Sequence, residues 1–162
     1  MKYYMKFLKS IFSILLLTTT ISNAQNNVTK ITVDGDVYYL TTDIGYNLVG
    51  KYLNENGSYD YKTNTTSTEP ITVLNEDGTG LWQNYGTSKG KMIWGVECNK
   101  DGSPKKIETD YGAVYILWYM KKEQLIFNGK PEGKVDVWDA VQLSIKFKEG
   151  KIYILGERSK TF

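Results

Sequence analysis

The residues of this chain most able to bind a small molecule are aromatic, with four tryptophans and thirteen tyrosines among 162 residues. Aromatic side chains line apolar pockets and stack on sugars, but they also dominate the cores of β domains. Trp82 follows a glycine-rich turn and is the one most expected near an opening. Ligand binding and plain core packing are both open for the six candidate ligand-binding residues, which are Trp82, Met92, Trp94, Tyr115, Trp118 and Tyr119.

Histidine is absent from the whole chain. Serine–histidine and cysteine–histidine catalysis, together with imidazole-ligated metal sites, are therefore excluded. A pair of carboxylates could hydrolyse glycosides, but the acidic residues are scattered among turns and no pair stands out. The sequence predicts no catalytic residue, no cofactor and a protein that is not an enzyme.

The segment Asp77-Gly78-Thr79-Gly80, preceded by Asn75-Glu76, has the oxygen-rich composition of a calcium loop. A twelve-residue calcium loop needs a glutamate at its last position. Counted from Asn75, that position is Gly86, so the pattern fails. We predict a hairpin turn here and another at Asp101-Gly102, and no metal site.

Cys98 is the only cysteine, so an internal disulfide is impossible. Its run alternates with polar residues, which places Met92, Trp94, Val96 and Cys98 on one face of a strand. We expect a buried, inert thiol. A reactive or intermolecular cysteine is the alternative.

Residues 1–24 have the pattern of a secretory signal peptide. Three lysines (Lys2, Lys6 and Lys9) precede a short apolar stretch, and the segment ends in Ser22-Asn23-Ala24. The apolar stretch is shorter than the roughly 20 residues that span a bilayer. We predict cleavage after Ala24, an exported product in the periplasm or outside the cell, and one domain over residues 25–162. A membrane anchor or amphipathic helix is the alternative.

The charge balance depends on this leader. Three of the 20 basic residues lie in it and none of the 18 acidic ones, which leaves 17 basic against 18 acidic residues. Binding to nucleic acid needs a basic surface that neutralises phosphates. The processed chain has no such excess, so we expect no nucleic-acid partner. Because the short apolar stretch is removed with the leader, we also expect no membrane-spanning segment.

Turn signals divide the chain into short alternating segments. The pairs Asp34-Gly35, Asn128-Gly129 and others recur at intervals that suit two strands and their connections. No long segment has helical periodicity, although Asp136–Ala140 could be a helical turn, and Asn54–Thr68 is predicted to be a loop. The pattern predicts an all-β fold, either an up-and-down antiparallel β-barrel of about eight strands or a β-sandwich.

Several short motifs resemble those of bacterial lipocalin-like (calycin-type) β-barrel domains. Gly50-Lys51-Tyr52 is similar to their opening glycine, any residue, tryptophan signature, with tyrosine in place of tryptophan. A glycine-rich turn at residues 77–80, a strand centred on Trp94 and an apolar strand over 115–120 follow in the same order. The resemblance covers about residues 48–158.

The resemblance implies a barrel of about eight strands around an apolar cavity. It also implies that an arginine from the last strand covers the opening aromatic residue, and the corresponding positions are Arg158 and Tyr52. The predicted hairpin at 28–41 lies outside the resemblance, and its packing place stays open.

The function expected from these observations is non-catalytic binding of an apolar or amphipathic small molecule in the barrel cavity. A cavity of about 300 Å³ or more would support it. One alternative is an envelope protein-binding module, such as an inhibitor or immunity protein, with contacts on its outer wall or its 54–68 loop. Another is a carbohydrate-binding β domain that uses Trp82 or Trp138. Ligand identity and oligomeric state stay open.

Overall fold

A computed structural model describes residues 28–54, 59–60, 65–66, 71–83, 89–156 and 158–161. The predicted signal peptide lies outside these residues, and so does most of the predicted loop over 54–68. Two short strands inside that loop, Tyr59–Asp60 and Thr65–Thr66, pair with each other.

The described residues form strands and turns. The strands, in chain order, are β1 Thr29–Val33, β2 Asp36–Thr41, β3 Gly50–Asn54, β4 Tyr59–Asp60, β5 Thr65–Thr66, β6 Ile71–Leu74, β7 Thr79–Gln83, β8 Lys89–Cys98, β9 Lys106–Thr109, β10 Gly112–Phe127, β11 Lys130–Lys146, β12 Lys151–Ile154 and β13 Arg158–Thr161. Across these ranges there is no helix with the length and apolarity needed to cross a membrane.

Eight of these strands close into an antiparallel barrel. Their order around the barrel is β8, β7, β6, β3, β13, β12, β11 and β10, and β10 then pairs with β8 from Leu117↔Val96 to Lys121↔Met92. Closure leaves the barrel strands without the free edges that an open sheet exposes. The predicted up-and-down barrel of about eight strands is confirmed, and the sandwich alternative is wrong.

The barrel interior is filled by apolar side chains that alternate along each strand. In β8 the residues Met92, Trp94, Val96 and Cys98 are all at most 5% exposed, as their alternation predicts. Burial raises the pKa of the Cys98 thiol. The main core cluster also includes Tyr52, Leu74, Tyr115, Leu117, Leu143, Ile145, Ile152 and Ile154.

The β1–β2 hairpin lies outside the barrel and extends its wall beyond the end of β7. It pairs with β8 from Tyr39↔Cys98 to Thr41↔Val96. Under it, Ile31, Leu40 and Trp118 form a second apolar cluster. This explains the burial of the outward-facing Trp118 on β10, whose other face lines the barrel interior.

Strands β10 and β11 form one long hairpin that projects beyond the barrel. Their register runs from Gly112↔Lys146 to Phe127↔Lys130, whereas β10 leaves β8 after Lys121. We call residues 122–136 the arm. The helical turn considered at Asp136–Ala140 is wrong, because those residues continue β11. Positive φ angles at Asn128 (49°) and Gly129 (75°) confirm the predicted turn at the tip.

The two ends of the barrel differ. The lower end carries the Asn75–Thr79 turn, in which Asp77 Oδ1 accepts hydrogen bonds from Thr79 N at 2.9 Å and Thr79 Oγ1 at 2.6 Å. A second turn of the same design holds Asp101 against Ser103. Both confirm the prediction of turns, and no group of three or more metal-ligating side chains occurs among the residues described. The upper end carries the arm and the β12–β13 turn.

Candidate functional site

The upper opening of the barrel contains a cavity of about 50 Å³. Its wall is apolar at Met92, Leu117 and Val141, and polar or charged at Thr72, Lys121 and Arg158. The strand register brings these residues together, because inward-facing positions of β6, β8, β10, β11 and β13 end at this level. Mixed walls of this kind are typical of small-molecule sites, in which a few polar groups orient an apolar ligand.

Arg158 is the first residue of β13 and points inward. It pairs with Asn54 of β3 and with Ile154 of β12, so the backbone of both neighbours fixes its position. Arg158 is only 8% exposed, and its Nη1 donates to Thr72 Oγ1 at 2.6 Å. A buried cation is costly unless it is paired or hydrogen-bonded. The presence of this cation among apolar side chains therefore indicates a candidate binding site at the upper end of the barrel.

Lys121 is the second cation of the opening. Its Nζ forms ion pairs with Glu123 Oε1 and Asp139 Oδ2, both at 2.9 Å. The same atom lies 5.9 Å from the Trp82 ring centroid and 5.8 Å from that of Tyr119. Burial alone would lower the pKa of Lys121, but the two carboxylates outweigh it and hold the pKa above its ordinary value. Lys121 is therefore a fixed positive charge between two aromatic rings.

Trp82 supplies a hydrogen-bond donor that the described residues do not use. Its Nε1 is buried and has no acceptor among them. The ring packs over Gly90, where an added Cβ would lie 3.0 Å from Nε1. A buried N–H without an acceptor costs about 1–3 kcal/mol, so a ligand atom that accepts a hydrogen bond from Nε1 would recover this free energy.

The lower end of the barrel is closed by side chains. Tyr52, fully buried, donates from its hydroxyl to Leu48 O at 2.8 Å. Lys160 Nζ lies 5.7 Å from the Tyr52 ring centroid and donates to Val49 O at 2.7 Å. The cation beside this aromatic ring is thus Lys160, whereas Arg158 contacts Thr72 at the upper end.

The six candidate residues fall into three places. Trp82, Met92 and Tyr119 gather at the upper opening. Trp94 and Tyr115 belong to the filled core, and Trp94 Nε1 donates to Thr79 O at 2.8 Å near the lower end. Trp118 faces outward, with its ring centroid 4.5 Å from that of Tyr38 in the β1–β2 hairpin.

Lys121 is a component of the site that sequence reasoning missed. The available signal was its position, since it continues the inward series Tyr115, Leu117 and Tyr119 along β10. The expected strand ended at Met120, so the next inward residue was not considered. Charged residues are rarely buried, so a charged residue at a position predicted to face the interior indicates a candidate site.

A larger cleft lies on the outer wall between β7, β8 and the arm. Its volume is about 750 Å³. Leu81, Ile93 and Met120 provide its apolar floor. Lysines surround this floor, namely Lys89, Lys91, Lys122 and Lys134. Trp82 and Met92 line both this cleft and the cavity of the opening.

The architecture and the opening define a closed eight-stranded antiparallel β-barrel with extra strands, which is compatible with a lipocalin-like fold. No protein-family model matches the chain, and neither a curated protein nor a solved structure matches it at a significant level.

Proposed function

We propose that this protein is an exported, non-catalytic, lipocalin-like binding protein that takes an amphipathic small molecule at the upper opening of its barrel. One observation carries the proposal. Trp82, whose buried Nε1 lacks an acceptor among the described residues, lines a cavity that has apolar walls and two cationic side chains. A ligand with an acceptor head group and an apolar body would satisfy both features.

The donors that line the cavity suit an anionic head group, because they include two cationic side chains and the indole of Trp82. Arg158 and Lys121 both line the cavity, while the nearby Asp139 and Glu123 are bound to Lys121. Hydrogen bonds from charged donors in a poorly hydrated site are stronger than neutral ones. A carboxylate is the simplest head group that accepts from a guanidinium and an indole N–H together.

The size of the cavity determines how much of the ligand it holds. About 50 Å³ is far below the roughly 300–1,000 Å³ of pockets that enclose a whole small molecule. The cavity is also below the roughly 300 Å³ that would support binding of a whole ligand, because core side chains fill most of the barrel interior. We therefore place the head group and the first atoms of the body inside, and the rest of the ligand at the opening.

The export part of the proposal is supported by residues 1–24, whose basic start, apolar stretch and small final residues are those of a signal peptide. Determination of the N-terminal residue of the native protein tests this part, and an intact Met1 would contradict it.

Fluorescence titration with dodecanoate tests the binding part. We expect saturable quenching or a spectral shift, and weaker binding of dodecanol, which has the same chain without the charge. Trp82→Phe keeps the ring but removes the N–H, and should weaken dodecanoate binding by about tenfold or more. Because this variant also loses a fluorophore, calorimetric titration measures its affinity.

The matched control is Trp138→Phe, which removes the same group from the outer cluster beneath the β1–β2 hairpin. It should bind dodecanoate as the wild type does. Equal affinities of the Trp82 variant and the wild type, or no binding of either compound by the wild type, would contradict the proposal.

A further inference from the structure

The tip of the arm exposes a cluster of large apolar side chains. Leu125, Ile126 and Phe127 are 47%, 69% and 62% exposed. They are consecutive and precede the Asn128-Gly129 turn, so they stand at the most distant point of a hairpin that leaves the barrel. Single exposed apolar residues are ordinary, but a contiguous group on a projecting element indicates an interaction site.

Lysines lie behind this apolar tip. Lys130 and Lys134 are on the arm itself, and Lys89 and Lys91 are on the facing wall of the outer cleft. Within the part of the chain that the structure describes, none of these four forms an ion pair.

Acidic residues offset only part of this charge. Glu123 is bound to Lys121, and Asp136 is bound to Lys122 at 2.8 Å. Glu132 is the remaining acidic residue of the arm. The surface behind the tip therefore has an excess of unneutralised positive charge, although the chain as a whole is nearly neutral.

We infer that the arm docks this protein on an anionic lipid surface. Apolar side chains at the tip would enter the boundary between head groups and acyl chains, and the lysines behind them would contact the lipid phosphates. A paired hairpin suits this role, because its cross-strand hydrogen bonds satisfy many backbone groups that leave water. The inference does not depend on the proposed small-molecule site.

The charge pattern favours lipid over a second copy of the chain. Among the described residues, Glu132 is the one acidic side chain of the arm outside an ion pair, so a second copy would offer a single carboxylate to Lys130 and Lys134, whereas an anionic surface offers many phosphates. An anionic lipid surface complements both components of the arm at once.

Sedimentation with vesicles tests the inference. We expect stronger binding to vesicles with about 30% phosphatidylglycerol than to phosphatidylcholine vesicles. Binding to the anionic vesicles should weaken as salt is added. Ile126→Ser should reduce the partition coefficient by about tenfold or more, because it removes an inserted apolar side chain.

The matched control for the tip is Ile107→Ser. Ile107 is 71% exposed, close to the 69% of Ile126, but it lies on β9 near the opposite end of the barrel. This variant should bind the vesicles as the wild type does. The same preparation is used for each variant, so any contribution of the N-terminal residues cancels, and thermal unfolding checks that each variant is folded.

The lysines are tested with Lys130→Gln/Lys134→Gln. Each lysine near an anionic surface contributes about fivefold to partitioning, so the pair should lose about 25-fold. Lys30→Gln/Lys100→Gln removes the same charge from exposed positions away from the arm and should have little effect.

Three results would overturn the inference. They are absence of binding to anionic vesicles at low salt, equal loss for Ile126→Ser and Ile107→Ser, and self-association in solution that Ile126→Ser abolishes. The last result would identify a second copy as the partner of the arm. Capture of a stoichiometric protein through the arm, with no vesicle binding, would likewise replace lipid by a protein partner.

Discussion

Glu97 is the residue that connects the outer hairpin cluster to the barrel wall. Its carboxylate accepts from Trp118 Nε1 at 3.1 Å and from Lys105 Nζ at 2.8 Å. Burial by itself raises the pKa of Glu97, but these two hydrogen bonds outweigh it, and the pKa is lower than the ordinary 4.5. The charged form of Glu97 therefore stabilises the fold.

This lowered pKa predicts a pH dependence of stability. The contribution of Glu97 is fully present above pH 4.5, the ordinary value, and is lost as the pH falls through the lower folded value. Glu97→Gln should reduce the free energy of unfolding at pH 7 by about 1–2 kcal/mol and should lose less stability than the wild type on acidification. Urea unfolding at pH 7 and in acid measures both.

Glu108→Gln is the control for this prediction, because Glu108 forms an exposed ion pair with Lys106. Such pairs contribute little, so its acid sensitivity should match the wild type. An identical acid response of Glu97→Gln and the wild type would refute the role assigned to Glu97.

At the residue scale, strand alternation predicts where a side chain faces but not what surrounds it. The pattern placed Trp94 and Cys98 on a buried face, and both are buried. The same pattern could not separate Tyr119, at the opening, from Tyr115, in the core, because both point inward at different heights. Height along the barrel depends on register, and register comes from pairing between distant strands.

The packing of the β1–β2 hairpin against the barrel wall depends on a glycine in β8. Gly95 of β8 lies directly under it, and a Cβ there would be 2.8 Å from Leu40 Cβ. Such a contact is closer than packed side chains allow, so the hairpin sits against this wall only because residue 95 has no side chain.

Gly95→Ala should displace the hairpin and expose Trp118 to water. We expect tryptophan emission to shift to longer wavelength and stability to fall by about 1–3 kcal/mol. In a Trp118→Phe background the spectral shift should disappear, which assigns it to this residue. An unchanged emission spectrum in Gly95→Ala would contradict the packing described for the hairpin.

At the element scale, most strands were predictable and the long hairpin was not. Lys121–Gln124 and the Pro131–Lys134 region look like breaks in a sheet, since they lack alternation of apolar and polar residues. Beyond the barrel the ribbon has no core on either side, so nothing selects for alternation there.

The barrel as a whole is closed by β13, a strand of four residues between β12 and β3. Ser159 pairs with Tyr153 on one side and with Leu53 on the other. A proline at this position would lack the backbone N–H and clash with the sheet.

Ser159→Pro should therefore open the barrel between β3 and β12. We expect a loss of about 3 kcal/mol or more and a broader unfolding transition. Ser159→Ala, which keeps the backbone N–H, should cost much less, and both are compared by calorimetry. A proline variant as stable as the alanine variant would show that closure by β13 contributes little.

At the scale of the molecule, turn spacing and the absence of helical periodicity were enough to predict an all-β fold, and they left a barrel and a sandwich as the two alternatives. The volume of its interior was not predictable, because it depends on how side chains such as Tyr52, Trp94 and Tyr115 fill the space between strands. The turn pattern did not show the start of the last strand at Arg158, since the Leu155-Gly156 turn before it lacks an Asn-Gly or Asp-Gly signal.

The pairing of β13 with β3 also determines when this protein can finish folding. Arg158 pairs with Asn54, about a hundred residues earlier, so the final seam joins segments made at very different times. A chain under synthesis cannot close this seam before β13 has emerged, and until then β3 and β12 lack their partner strand. Strand edges without partners favour aggregation, so slower emergence of β13 should lengthen the interval in which the chain can aggregate.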